Sequence, residues 1–259
     1  MAAFAASETK IPRFARDDSR YISRRARRRL GWLFRMSASS EVLMNTKRVW
    51  IVLAFFCCLF AQLQAQSSGR RGHKGQTGTP GQFDYYLLTL SWAPEFCYSH
   101  GESPECRGQH FGFVVHGLWP QYVNGYPEGC SNEPGLADAS TMTDIMPDPR
   151  LVAHEWAEHG TCSGLNAEGY FKAVRQAFSS LHVPAKFSAP AAEFLITPSE
   201  VKDAFLQANP QLSREDMTVS CGNNYLTAVS VCMTKELKPT ACQNLRDCRA
   251  NKIKVPPVR

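Results

Sequence analysis

The sequence predicts a mixed α+β domain over residues 83–259, stapled by disulfides. Three observations carry this reading. Runs rich in aromatic and β-branched residues lie at both ends of the region, apolar residues at helical spacing lie between them, and eight cysteines are spread along it. The order of strands, then helices, then strands fits one domain of ordinary size, and no internal repeat is visible.

Taken in order, residues 84–92 (Asp-Tyr-Tyr-Leu-Leu-Thr-Leu-Ser-Trp) read as a buried strand, and residues 111–116 as a second strand that ends on His116. Asp148-Pro149 sets a helix start, which carries the chain from Leu151 to about His159 until Gly160 stops it. Residues 168–181 space Tyr170, Phe171, Val174 and Phe178 along one helical face. Thr197-Pro198-Ser199-Glu200 is a capping box with proline at the first helical position, and Val201, Phe205 and Leu206 continue that helix to Asn209-Pro210. Residues 217–221 and 225–234 read as closing strands. The basic, proline-containing tail from Asn251 is expected to be an extended strand or frayed.

The first 82 residues read differently. Residues 1–43 are arginine-rich (Arg24, Arg25, Arg27, Arg28, Arg29) and show no sustained apolar periodicity. Met44, a basic run through Lys47 and Arg48, and 12 apolar residues at 49–60 come next, with Leu63 and Ala65 spaced as the −3 and −1 sites of a signal cleavage. That run is shorter than the roughly 20 residues a spanning helix needs. Residues 44–65 are therefore expected to be a secretory signal, leaving no membrane span after its removal, and residues 1–43 a gene-model extension ahead of the true start. The rival reading is a long targeting leader; Ser23-Arg24-Arg25 has the twin-arginine pair but no apolar pair after it. Residues 66–82, glycine-rich and basic, read as a flexible linker.

The overall charge of +6 misdirects. Residues 1–82 carry 15 Lys+Arg against 4 Asp+Glu, a net +11, whereas residues 83–259 carry 14 against 19, a net −5. A nucleic-acid-binding domain is ordinarily basic, so any such contact here must be local. Of ten cysteines, Cys57 and Cys58 fall within the signal; the even number remaining, with no Cys-x-x-Cys pair, reads as disulfides of an exported protein rather than a zinc site. Eight cysteines allow 105 pairings, which arithmetic alone cannot choose between. No Asn-x-Ser/Thr sequon occurs.

Two stretches concentrate proton-transfer chemistry. His116 lies in Phe-Gly-Phe-Val-Val-His-Gly-Leu-Trp-Pro-Gln (111–121), and His154, Glu155 and His159 lie in His-Glu-Trp-Ala-Glu-His-Gly-Thr-Cys (154–162). Imidazoles titrate near neutral pH, so one can take a proton while another gives one. At about 100° per helical residue, Glu155 and His159 fall about 40° apart on one face, His154 and Glu158 occupy the adjoining flank, and Trp156 is left for the interior. Gly117 is expected to turn the chain tightly after His116, with Trp119-Pro120 stiffening the segment beyond it. Zinc proteases need His-Glu-x-x-His with ligands at i and i+4. Here the spacing is i and i+5, about 140° apart, so no metal is expected. His100, His110 and His182 stand outside these motifs and read as structural or surface residues.

The two stretches, Val115-His116-Gly117-Leu118-Trp119-Pro120 and His154-Glu155-Trp156 through His159-Gly160-Thr161-Cys162, resemble the two active-site segments of the ribonuclease T2 family. The resemblance covers about residues 83–250. It implies a single domain with a central antiparallel sheet packed with helices, and disulfides Cys97–Cys106, Cys130–Cys162, Cys221–Cys248 and Cys232–Cys242. It also implies a monomeric, secreted or periplasmic endoribonuclease of low base specificity, acting on single-stranded RNA without cofactor. His159 would be the general base for the 2′-hydroxyl, His116 the acid for the departing 5′-oxygen, His154 a phosphate-binding imidazole and Glu155 a carboxylate supporting the transition state. The products would be a 2′,3′-cyclic phosphate and then a 3′-phosphate. DNA lacks the attacking hydroxyl and should resist. Trp119 matches a base-stacking residue, with Tyr122 or Tyr126 completing the platform. One position departs: most members carry lysine where this chain has Glu158, expected here to weaken activity, shift it toward acidic pH and pair with His154. The rival reading is a catalytically silent member acting as a secreted binding or toxin-like module.

Overall fold

The computed structural model describes residues 75–107 and 110–259; the extension, the signal and the first part of the linker lie outside the described residues. Among the described residues the strands are β1 (Gly75–Thr77), β2 (Tyr85–Trp92), β3 (Phe113–Gln121), β4 (Tyr126–Glu128), β5 (Phe194–Ile196), β6 (Met217–Gly222), β7 (Tyr225–Met233) and β8 (Ile253–Val255). The α-helices among them are α1 (Ala93–Phe96), α2 (Pro149–Glu158), α3 (Ala167–Ser179) and α4 (Pro198–Ala208). The main sheet has the order β3-β2-β7-β8-β5, with β6 also paired to β7. It is antiparallel apart from the single β7–β8 contact at Tyr225 and Lys254.

Alternation along β2 explains why its sequence is apolar throughout. Tyr86, Leu88, Leu90 and Trp92 face the main core, where α3 lays down Tyr170, Phe171 and Val174 and α4 adds Val201 and Phe205. On the opposite face Tyr85 and Leu87 form a smaller cluster with Cys232, against which Trp119, Cys242 and Leu245 pack. Tyr170 ties helix to sheet by donating its hydroxyl to the Leu118 carbonyl at 3.0 Å. The capping box at Thr197 closes both ways: Thr197 Oγ1 accepts from Glu200 N, and Glu200 Oε2 accepts from Thr197 N.

One expectation is revised and one is decided between its two alternatives. The end of the linker is docked rather than free: Gly75–Thr77 pairs in parallel with β4, and Gly81 N donates to the Cys162 carbonyl at 2.9 Å. The tail takes the extended-strand alternative: β8 pairs with β5, and Trp92 Nε1 donates to the Pro256 carbonyl at 3.2 Å. Four disulfides fasten the loops, Cys97–Cys106, Cys130–Cys162, Cys221–Cys248 and Cys232–Cys242.

Candidate active site

His116 owes its direction to an irregularity in β3. Thr89 pairs with Gly117 and Leu90 with Val115, which leaves His116 as the extra residue of a β-bulge. Bulges re-aim single side chains and are frequent beside active sites. On β2, Ser91 receives the ring: its Oγ lies 2.8 Å from His116 Nδ1. The strand does not end at His116 as the sequence suggested, but runs to Gln121. Gly117 makes no tight turn. It is required by crowding, since a Cβ there would lie 2.1 Å from Glu155 Oε2 and 2.3 Å from Trp119 Nε1. Pro120 is tolerated because β3 is an edge strand.

Helix α2 supplies the other groups. Asp148 caps it, its Oδ1 accepting from Arg150 N at 2.9 Å, and Pro149 opens it. The regular helix stops at Glu158; His159 is the C-cap, and a 3₁₀ turn continues over Gly160–Ser163. Gly160 is therefore not a simple helix stop. A Cβ on it would sit 2.4 Å from Trp156 Cε3 and 2.9 Å from Tyr170 Cδ1, so glycine lets the turn close onto the core. Trp156 faces inward as its helical position requires, and its indole N–H donates to the Glu133 carbonyl at 2.8 Å.

Trp119 joins the two segments. Its indole N–H donates to Glu155 Oε2 at 2.6 Å, and its ring centroid lies 5.5 Å from that of His116 and 5.4 Å from that of His159. Glu155 Oε1 lies 3.7 Å from His116 Nε2; the carboxyl side chain is 1% exposed and the imidazole 35%. Three buried atoms here have no hydrogen-bond partner among the described residues: His154 Nε2, Glu155 Oε1 and His159 Nδ1. Buried polar atoms are ordinarily paired, and an orphan costs about 1–3 kcal/mol. Orphans from one helix, beside a third imidazole, suit a polar ligand. Tyr126 also flanks the cluster, 6.2 Å from His159, whereas Tyr122 packs against the main core with its hydroxyl beside Gly78.

Burial sets the charges. Desolvation first, then the His154 charge, lowers the His116 pKa to about 4. Desolvation, reinforced by His154 and His116, takes His159 down to about 3. Glu155 moves the other way, to about 8, because burial and the nearby Glu158 outweigh the Trp119 hydrogen bond. The His116–Glu155 approach is thus between neutral groups at neutral pH. The expected ion pair between Glu158 and His154 does not form: His154 Nε2 is unpartnered among the described residues, and the Glu158 carboxylate acts on Glu155 instead. Two roles escaped the sequence. Ser91 is an ordinary strand residue until β2 and the bulge are aligned, and the tie from Trp119 to Glu155 spans 36 positions.

Residues 83–248 match the family model described as the ribonuclease T2 family. The chain belongs to the ribonuclease T2 family. Among similar T2-type and ribonuclease sequences, a ribonuclease of Aeromonas hydrophila is 38% identical over 112 residues, covering 43% of this chain and 52% of that protein. A probable ribonuclease of Haemophilus influenzae is 29% identical over 194 residues, covering 68% of this chain and 66% of that protein. The chain thus spans between half and two thirds of these two relatives. Among solved structures, RNase NT in complex with 5′-AMP matches with a TM-score of 0.54 at 24% identity, over 68% of this chain and 99% of that one. An RNase-related protein from Calystegia sepium matches with 0.56 at 21%, over 72% and 100%. These two share the T2 fold with the present domain.

Proposed function

We propose that this T2 domain is a metal-independent endoribonuclease that cleaves single-stranded RNA by transphosphorylation. The observation that carries the reading is the meeting of His116, His154, Glu155 and His159, with their unpartnered buried atoms, beside Trp119. In the first step His159 takes the proton of the 2′-hydroxyl, and the 2′-oxygen attacks phosphorus. The bond from phosphorus to the 5′-oxygen breaks as His116 delivers a proton to that oxygen. Water then opens the 2′,3′-cyclic phosphate with the proton roles reversed, leaving a 3′-phosphate. His154 Nε2 faces the non-bridging oxygens.

Glu155 acts as a neutral acid. With Oε2 engaged by Trp119, the proton resides on Oε1 and is free to donate to a phosphoryl oxygen as charge builds there. Glu158 in the position of the usual lysine keeps that proton in place by repulsion. Trp119 and Tyr126 offer faces for stacking bases, which discriminates weakly among them. The enclosure of all eight described cysteines in disulfides supports export to an oxidising compartment, outside the cell or in a periplasm. No helix among the described residues is long and apolar enough to cross a membrane. Every group named comes from one chain, so a monomer suffices.

A dye-quenched RNA oligonucleotide tests the proposal. Wild type should release cyclic-phosphate ends, His116→Ala should lose roughly 10²–10⁴-fold in rate, and the all-deoxy oligonucleotide should stay intact. Equal cleavage by wild type and His116→Ala would sink the assignment, and cleavage by neither would favour the binding-module reading.

A further inference from the structure

His116 must do two opposite things at one nitrogen. In the first step it gives a proton to the 5′-oxygen, and in the second it takes one from water. Nε2 is the nitrogen placed for both, because it lies 3.7 Å from the unpartnered Glu155 Oε1. The exchange works only if Nδ1 keeps its own proton throughout. A neutral ring that lost the Nδ1 proton would hold the remaining one on Nε2, and the second step would then lack a base.

Ser91 is the group that can settle which nitrogen keeps its proton. Its Oγ, 2.8 Å from His116 Nδ1, is the one partner of that nitrogen among the described residues. The backbone beneath it is fixed from both sides, by Val114 on β3 and by Ala228 on β7. Two residues back on the same face, Thr89 Oγ1 is engaged with Ser230 Oγ at 2.9 Å and does not compete for the Ser91 hydroxyl. The titratable groups that act on His116 come from α2 and its cap: His154, Glu155 and His159. Ser91 adds no charge to them.

We propose that Ser91 is the positioning residue of the acid–base histidine: its hydroxyl accepts from Nδ1–H of His116 and holds Nε2 toward the scissile phosphate in both steps, a role that rests on the ribonuclease reading above. A neutral acceptor suits an acid. It selects the tautomer without stabilising the imidazolium as a carboxylate would, so the proton on Nε2 stays easy to give. Desolvation first, then the His154 charge, lowers the His116 pKa to about 4, and a hydroxyl leaves that lowering in place.

Two substrates separate this role from a structural one. A dinucleoside monophosphate has a 5′-oxygen that needs a proton to depart, whereas a nucleoside 3′-(4-nitrophenyl phosphate) has a leaving group that departs as an anion. Ser91→Ala should lower kcat on the first roughly 10- to 100-fold and on the second by less than about threefold, because only the first needs the acid. Turnover of the second also shows that the variant is folded. Ser91→Thr keeps the hydroxyl and should restore cleavage of the first. Ser91→Asp places a carboxylate at Nδ1 and should move the alkaline limb of the dinucleotide pH–rate profile up by about one pH unit or more. Independently of turnover, long-range proton–nitrogen spectra of histidine-labelled protein, assigned with His116→Ala, should show the neutral ring protonated at Nδ1. Equal losses on the two substrates, an unmoved limb in Ser91→Asp, or a wild-type ring protonated at Nε2 alone would each overturn the role of Ser91. A wild type inert toward both substrates, with Nδ1 protonated as expected, would instead overturn the ribonuclease reading and leave Ser91 supported as the holder of the ring.

Discussion

At the scale of single residues, the site works against its own stability, and pH exposes this. Glu155 binds its proton more tightly folded than unfolded, with a pKa raised to about 8 from 4.5. Its contribution to stability is complete below pH 4.5 and is lost as pH rises through about 8. His116 and His159 are depressed to about 4 and 3 from 6.5, so their contribution is complete above 6.5 and is lost as pH falls through those values. Glu155→Gln keeps the Trp119 acceptor and cannot ionise. Its melting temperature should rise relative to wild type between pH 5 and 8, while turnover should stay within about tenfold of wild type because the amide Nε2 keeps a donor where Oε1 stood. A melting difference that stays flat across that range would refute the raised carboxyl. Glu158→Lys places a cation beside the phosphate and removes the repulsion that holds the Glu155 proton. Turnover at pH 5 should increase, and the alkaline limb of the pH–rate profile should move to lower pH, the reverse of the acidic shift expected of Glu158 from sequence, because Glu158 raises the Glu155 pKa. An unmoved profile would remove Glu158 from the mechanism.

At the scale of elements, one bulge and one helix end place the chemistry. Without the extra residue in β3, His116 would fall on the alternation of an ordinary strand, and Ser91 would lose its partner. Gly117 is the tightest point, since any side chain collides with Glu155 and Trp119 together. Gly117→Ala should cost about 1–3 kcal/mol by overpacking. It should also lower kcat by at least tenfold by displacing the Glu155 carboxyl, measured by urea unfolding beside steady-state cleavage. Retention of wild-type kcat would show that the close approach is dispensable. The motif around His116 was legible in sequence but its geometry was not, because a bulge is defined by the strand across from it. The α2 face was more legible: local capping and a 3.6-residue period are properties of neighbouring residues, so Asp148, Glu155 and Trp156 fall where the sequence puts them.

At the scale of the molecule, cross-links hold the two segments in register. Cys130–Cys162 anchors the 3₁₀ turn just past His159 to the chain beyond β4, and Gly81 of the docked linker bonds to the same turn. Closing a 32-residue separation is worth about 3–4 kcal/mol in the chain-entropy account. Cys130→Ser/Cys162→Ser should lose stability of that order and should lose activity at temperatures where it remains folded, as judged by circular dichroism and cleavage on one sample. Full activity in the folded double variant would mean that the turn positions His159 unaided.

The sequence by itself determined the class of fold, the start of α2, the bounds of β2, β6, β7 and the three longer helices to within a residue or two, and the candidate residues of the site. These depend on residue type and short-range spacing. Only the tertiary structure decided that His116 sits on a bulge and that Trp119 holds Glu155. Each of those is a meeting of groups far apart in the chain, and desolvation at such a meeting belongs to the assembled packing.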